Sequence, residues 1–247
     1  NVRIDAFYPE GEKNMSAIRD YVMAHDLFCH HDHHWSYREF DEQRDAFDYA
    51  HLLGYATADL VTAAGISGLV DPMQEKERIA ELWPTIRATG YGRAVDLTSQ
   101  ALFGLPYSAE SFPQITAALQ DFVGDRSAEE IYGELVHDKA QNLWTIHDGC
   151  WSLDNASIFN ADAYPATYRF TFRLDELFAP TDRGPIDTLA EFVGCSVHTL
   201  DQLVDALNVC LNRFLETGKL AALKIRMAYL RDLSVGDPHH HEAELAF

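Results

Sequence analysis

A run of imidazoles and one carboxylate, His30-His31-Asp32-His33-His34, is the stretch of the sequence best suited to chemistry. It follows Leu27-Phe28-Cys29, an apolar run that predicts a strand. In an extended chain the side chains of residues i and i+2 point the same way, so His31 and His33 can converge on one ion. Imidazoles at the end of an apolar strand are typical of a metal site, because the strand fixes the ligands while its end faces solvent. A polar, His-rich loop is the alternative for the pair alone.

Three further strands are predicted, and polar residues recur at their ends. The second covers Asn142–Ile146 and is followed by His147-Asp148-Gly149; the third, Tyr168–Arg173, alternates aromatic and polar residues; the fourth covers Ala221–Ile225. The carboxyl ends of parallel strands meet on one face of a barrel. We therefore expect the polar strand-end residues to share that face with His31 and His33: His147, Asp148, Arg173, Asp175 and Lys224. A turn after the strand is the alternative for His147-Asp148, and a local ion pair is the alternative for Arg173 with Asp175.

Helical spacing of apolar residues dominates the rest of the chain, above all between the first and second strands. These patterns predict an α/β fold, a (β/α)8 TIM barrel with a long helical insertion at about 40–140, in one domain covering 1–247. A closed barrel needs about eight strands, so four predict the amino-terminal half of a larger barrel. Alternatively, Gly68-Leu69-Val70 and Arg93-Ala94-Val95 are further strands.

The composition argues against several classes of partner. The formal charge of −20 repels phosphate backbones and anionic lipid, which excludes nucleic acids and membrane surfaces as expected partners. The four cysteines have no CxxC spacing, so we expect reduced thiols and a cytoplasmic protein. No apolar run approaches the roughly 20 residues of a membrane span, and no signal peptide is expected. A small-molecule substrate is the remaining partner, and a homo-oligomer is left open.

Lys224 stands out among the strand-end residues. It lies between Leu223 and Ile225 at the end of an apolar strand, where partial desolvation favours a neutral amine. It is therefore a candidate base, Schiff-base amine or carbamate-forming ligand; a lysine that extends to the solvent at the rim is the alternative. His239-His240-His241 reads as a polar surface loop rather than a metal site.

Taken together, these residues resemble the amidohydrolase superfamily of metal-dependent (β/α)8 enzymes, in which a strand ends in HxH. Within it the order is similar to the uronate isomerases and an amidohydrolase-related group, over roughly residues 20–230. The features that carry the resemblance are the His31/His33 strand, a long helical insertion, Trp83, Phe103-Gly104-Leu105, His147-Asp148, Phe172-Arg173-Leu174-Asp175 in place of F-R-P-D, and Gly194-Cys195.

Two departures weigh against uronate isomerase activity. Where that family has K-W-R, this chain has Ala58-Asp59-Leu60, without a cation, and its D-H after the fourth strand is replaced by Leu223-Lys224-Ile225. In many superfamily hydrolases the fourth strand supplies a carboxylated lysine that bridges two metals, and Lys224 falls near that position. The family's remaining ligands, a fifth-strand His and an eighth-strand Asp, would fall beyond Phe247.

We therefore expect a metal-dependent hydrolase in which metal-activated water attacks a small carbonyl substrate. A uronate isomerase-like aldose–ketose isomerase and a non-catalytic small-molecule-binding barrel are the alternatives. The cofactor expected is a divalent ion, zinc by preference. The roles predicted are His31 and His33 as metal ligands, Lys224 and Asp148 as catalytic groups, and Arg173 and Trp35 as substrate contacts.

Overall fold

The structure is a computed structural model, and it describes residues 20–22, 24–65, 71–150, 153, 156–178, 180, 182–229, 232–234 and 236–247. It divides into two compact units. One comprises residues up to His25 together with Tyr37–Lys139, and the other comprises Asp26–Ser36 together with Ala140–Phe247. In the described part of the chain, no helix combines the length and the apolarity that a membrane crossing requires.

The first unit is helical and spans the segment predicted as an insertion. Its buried core contains Leu60, Ile79, Trp83 and Ile115. Ser127 and Glu130 form a capping box at the start of the helix over Ala128–Tyr132. The helices are α1 (Tyr37–Gln43), α2 (Ala56–Ala64), α3 (Lys76–Ile86), α4 (Gly90–Phe103), α5 (Phe112–Val123) and α6 (Ala128–Tyr132), with 3-10 turns at Arg44–Ala46 and Tyr49–Leu52 and a π-helix at Gly133–Lys139.

The second unit contains a four-stranded sheet in which all neighbouring strands are parallel and follow the order of the chain, β1-β2-β3-β4. This confirms the predicted α/β class. The strands are β1 (Leu27–Asp32), β2 (Asn142–Cys150), β3 (Tyr168–Arg173) and β4 (Leu220–Lys224). The helices of this unit are α7 (Asp175–Phe178), α8 (Gly184–Val193), α9 (Leu200–Glu216) and α10 (His240–Ala246), with 3-10 turns at Ser157–Ala163 and Met227–Tyr229.

All four predicted strands are present, but the bounds of two of them differ from the prediction. β4 covers Leu220–Lys224 rather than Ala221–Ile225. β3 has the predicted bounds, but β2 continues to Cys150, which pairs with Phe172, so His147 and Asp148 lie within the strand rather than after it. The residues of 93–95 belong to α4 and not to a strand. The alternative strand at 68–70 lies outside the described residues.

The two faces of the sheet differ because the aromatic and polar residues of β3 alternate. Phe170 and Phe172 are fully buried on one face, where the ring of Phe214 from α9 stacks on Phe172 with centroids 4.1 Å apart. Thr171 and Arg173 point to the opposite face, where both contact Asp148 of β2. The aromatic layer thus anchors the sheet to its helices and leaves the polar face for the site.

This layer predicts a large stability difference between two adjacent residues of α9. Phe214→Ala should lower the free energy of unfolding by about 3–5 kcal/mol, because it removes a fully buried ring and leaves a cavity. Leu215→Ala, at a side chain that is 60% exposed, should change it by less than about 0.5 kcal/mol. Urea denaturation measures both, and equal effects would contradict this packing.

Candidate metal centre

The two imidazoles predicted to converge do so at the end of β1. His31 Nε2 and His33 Nε2 lie 3.1 Å apart. The Nδ1 of His33 is 3.0 Å from the carbonyl oxygen of Asp148, an acceptor, so in neutral His33 the proton sits on Nδ1 and Nε2 carries the lone pair. This is the arrangement by which proteins fix the tautomer of a metal-ligating histidine.

A carboxylate completes a triangle of ligand atoms. Oδ2 of Asp148 lies 3.5 Å from His31 Nε2 and 3.8 Å from His33 Nε2. Zinc bonds of about 2.0–2.1 Å to nitrogen and oxygen place the ligand atoms of a tetrahedral site about 3.3 Å apart. The three observed separations of 3.1, 3.5 and 3.8 Å fit one ion bound by all three residues.

Asp148 is fully buried and is compensated by three donor residues from β3 and β4. Thr171 Oγ1 donates to Oδ1 over 2.9 Å, Arg173 donates from Nε to Oδ1 over 3.0 Å and from Nη2 to Oδ2, and Lys224 Nζ donates to Oδ2 over 2.6 Å. Burial alone would raise the pKa of Asp148, but the hydrogen bonds from Arg173, Lys224 and Thr171 outweigh it and hold the pKa well below its usual range. Asp148 therefore remains an anion.

The structure assigns contacts to the other predicted site residues. Lys224 Nζ also lies 2.9 Å from His31 Nε2, so the lysine is part of the cluster. Arg173, predicted as a substrate contact, donates from two of its nitrogens to the carboxylate of Asp148. Trp35, the other predicted substrate contact, follows the histidine run directly and is 44% exposed. Thr171 was not predicted, although its alternation with Phe170 and Phe172 places it on the Asp148 face.

A second network lies behind the ligands and positions the end of β1. Asp32 Oδ1 accepts from the backbone N–H of His33 over 2.8 Å, and Oδ2 lies 3.0 Å from His34 Nε2. His34 Nδ1 contacts the hydroxyl of Tyr168, and the backbone N–H of His34 donates to His147 Nδ1 over 3.3 Å. His147 was predicted to share the face of His31 and His33, and this is wrong: it belongs to the network behind, because consecutive strand residues alternate.

One other group in the described part of the chain brings three metal-ligating types together. It consists of Asp201, His240 and Glu244, whose ligand atoms lie within 4.8 Å of one another. His240 Nε2 is 3.7 Å from Asp201 and 3.5 Å from Glu244, distances that an ion pair explains, and the three side chains are 43–76% exposed. The centre at His31, His33 and Asp148 differs from this group in its buried and fixed carboxylate.

No protein-family model and no curated protein sequence matches the chain.

Burial of His147 predicts a pH dependence of stability. Burial lowers the pKa of His147 from 6.5 to about 4, and the positive charge of protonated His34 adds to this effect. Between these two pH values the unfolded chain takes up a proton that the folded chain does not, so stability falls as the pH falls. The expected loss is about 3 kcal/mol.

Urea denaturation between pH 6.5 and 4 measures this loss, and His147→Gln should flatten the profile. The exposed His198→Gln variant serves as the control and should keep the wild-type slope. The contribution of Asp148, whose pKa is lowered from 3.8, is lost only at lower pH and does not overlap. A wild-type slope in His147→Gln would contradict the assignment.

The buried ion pair predicts a second stability effect. Arg173→Met should cost about 3 kcal/mol, because it leaves the buried carboxylate of Asp148 with Lys224 as its remaining charged donor. Adding Asp148→Asn should recover part of the loss, because no buried charge remains. Arg169→Met is the matched control, since Arg169 lies on the same face of β3 and packs over Trp144; it should cost less than about 1 kcal/mol. Additive effects of the two site substitutions in thermal unfolding would contradict the pair.

Proposed function

We propose that the chain forms the metal centre of a metal-dependent hydrolase, with a divalent ion, zinc by preference, held by His31, His33 and Asp148. The observation that carries the proposal is the triangle of 3.1, 3.5 and 3.8 Å between their ligand atoms. The carbonyl of Asp148 fixes the Nε2 lone pair of His33, and the ammonium of Lys224 makes His31 Nε2 an acceptor. Two imidazole lone pairs and a carboxylate oxygen therefore face one another, which is a ligand set that suits a divalent ion such as zinc.

The protein's own groups prepare the site for such an ion. The carbonyl of Asp148 holds His33 in the tautomer whose Nε2 can ligate, and Arg173 keeps the Asp148 carboxylate ionised and oriented. His31, with 46% of its side chain exposed, leaves the centre open to a small molecule from the solvent side. When bound, a zinc ion with three protein ligands lowers the pKa of its water and polarises a substrate carbonyl. Arg173 and Trp35 are the proposed substrate contacts.

We further propose that the sheet belongs to a (β/α)8-type fold of the amidohydrolase kind. Consecutive strands of such a barrel are parallel and neighbour one another in chain order, as β1 to β4 do, whereas doubly wound sheets reverse their order at a switch point. The ligands also lie at the carboxyl ends of β1 and β2, the side on which barrel enzymes carry their active sites. The proposed reaction is hydrolysis of a small carbonyl compound.

Metal binding tests the proposal. The purified protein, loaded with zinc and freed of excess, should hold about one ion per chain in elemental analysis, and His31→Ala, His33→Ala and Asp148→Asn should each weaken binding at least about tenfold. His240→Ala is the matched control and should keep the wild-type affinity, because His240 belongs to the exposed group. Full occupancy in a His31→Ala/His33→Ala variant would contradict the site.

Turnover separates the proposed reaction from the alternatives. Zinc-loaded protein should hydrolyse members of a panel of small amides and lactones, and Asp148→Asn should lose this activity. Conversion of glucuronate without hydrolysis of the panel would favour the isomerase. Metal binding without turnover of the panel or of glucuronate would favour a binding protein.

A further inference from the structure

The ammonium group of Lys224 contacts two of the three ligand atoms of the proposed metal site. Lys224 ends β4 and pairs in register with Arg173, and its side chain is 27% exposed. Its ammonium lies 2.6 Å from Asp148 Oδ2 and 2.9 Å from His31 Nε2. Because an ammonium group can only donate, His31 Nε2 must be the acceptor in this contact.

The same lone pair cannot serve two cations. A neutral imidazole has one lone pair at Nε2, and here it accepts from Lys224, so a metal can bind His31 only after the ammonium has left. Asp148 Oδ2 is shared in the same way, and a divalent ion so close to the ammonium would be repelled. The contacts therefore make occupation by Lys224 and occupation by a metal mutually exclusive.

We propose that Lys224 is an internal competitor of the metal: its ammonium fills the ligand set in the metal-free protein and withdraws when the ion binds. This inference rests on the proposed metal site. In the metal-free protein the lysine neutralises a buried carboxylate and holds His31 in place, so the ligand set is ordered before the ion arrives. Zinc then binds more weakly than the three ligands alone would allow.

This role differs from that of a lysine carbamate. A carbamate would put a second anion next to the Asp148 carboxylate, which the present contact of 2.6 Å between a donor and an acceptor does not accommodate. The two roles predict opposite signs. Removing a competitor strengthens metal binding, whereas removing a carbamate ligand weakens it.

The experiment is a zinc titration against a chromophoric chelator, with the wild type, Lys224→Met and Lys224→Gln. Both variants should bind zinc at least about tenfold more tightly than the wild type, and without zinc they should unfold at lower temperature because Asp148 loses a charged donor. Lys219→Met removes the same charge at the other end of the strand, where Lys219 contacts the Ala166 carbonyl, and should change neither property. Lys224→Arg keeps the charge and should retain weak binding.

Every other outcome either supports or overturns the proposed role of Lys224. Unchanged or weaker zinc binding in Lys224→Met and Lys224→Gln, with normal binding in the wild type, overturns the inference but leaves the metal site standing. Tighter binding of the wild type on addition of bicarbonate would assign Lys224 as a carbamate ligand and overturn it as well. Zinc binding in Lys224→Met but not in the wild type supports it, and no binding in any variant overturns both proposals.

Discussion

The centre depends on one constraint: the carboxylate of Asp148 is fully buried in the sheet and must be compensated. An isolated buried charge costs several kcal/mol, so its neighbours have to supply donors. These donors are Thr171 and Arg173 of β3 and Lys224 of β4. His31 and His33, at the end of β1, face Oδ2 of the same carboxylate. The parallel alignment of four strands is what brings these groups to one carboxylate.

The hydrogen bonds that compensate Asp148 explain both why the ligands are held in place and why cations compete for Oδ2. Arg173 and Thr171 take up Oδ1, which leaves Oδ2 directed at His31 and His33. Arg173 and Lys224 also donate to Oδ2 and take up both of its lone pairs, so a metal ion can bind Oδ2 only if one of these two cations withdraws. The two cations are not equivalent. Arg173 is held by two hydrogen bonds in a fixed plane, whereas the lysine ends a flexible chain and can withdraw.

Local patterns in the sequence predict part of this arrangement. Alternation along β1 is enough to bring His31 and His33 together, and their convergence is confirmed, while their role as ligands stays a prediction. The bounds of β3 follow from its own alternation. The extension of β2 beyond Ile146 does not, because pairing with β3 and burial of Asp148 stabilise it, and both depend on residues distant in sequence. For the same reason the contact between Lys224 and His31 has no local signal.

The most direct measurement is an anomalous-difference map at the zinc edge from crystals of the zinc-loaded protein. We expect a peak among His31 Nε2, His33 Nε2 and Asp148 Oδ2, with the ammonium of Lys224 withdrawn from both of its present partners. A peak confined to Asp201, His240 and Glu244, or no peak at the end of β1, would contradict it.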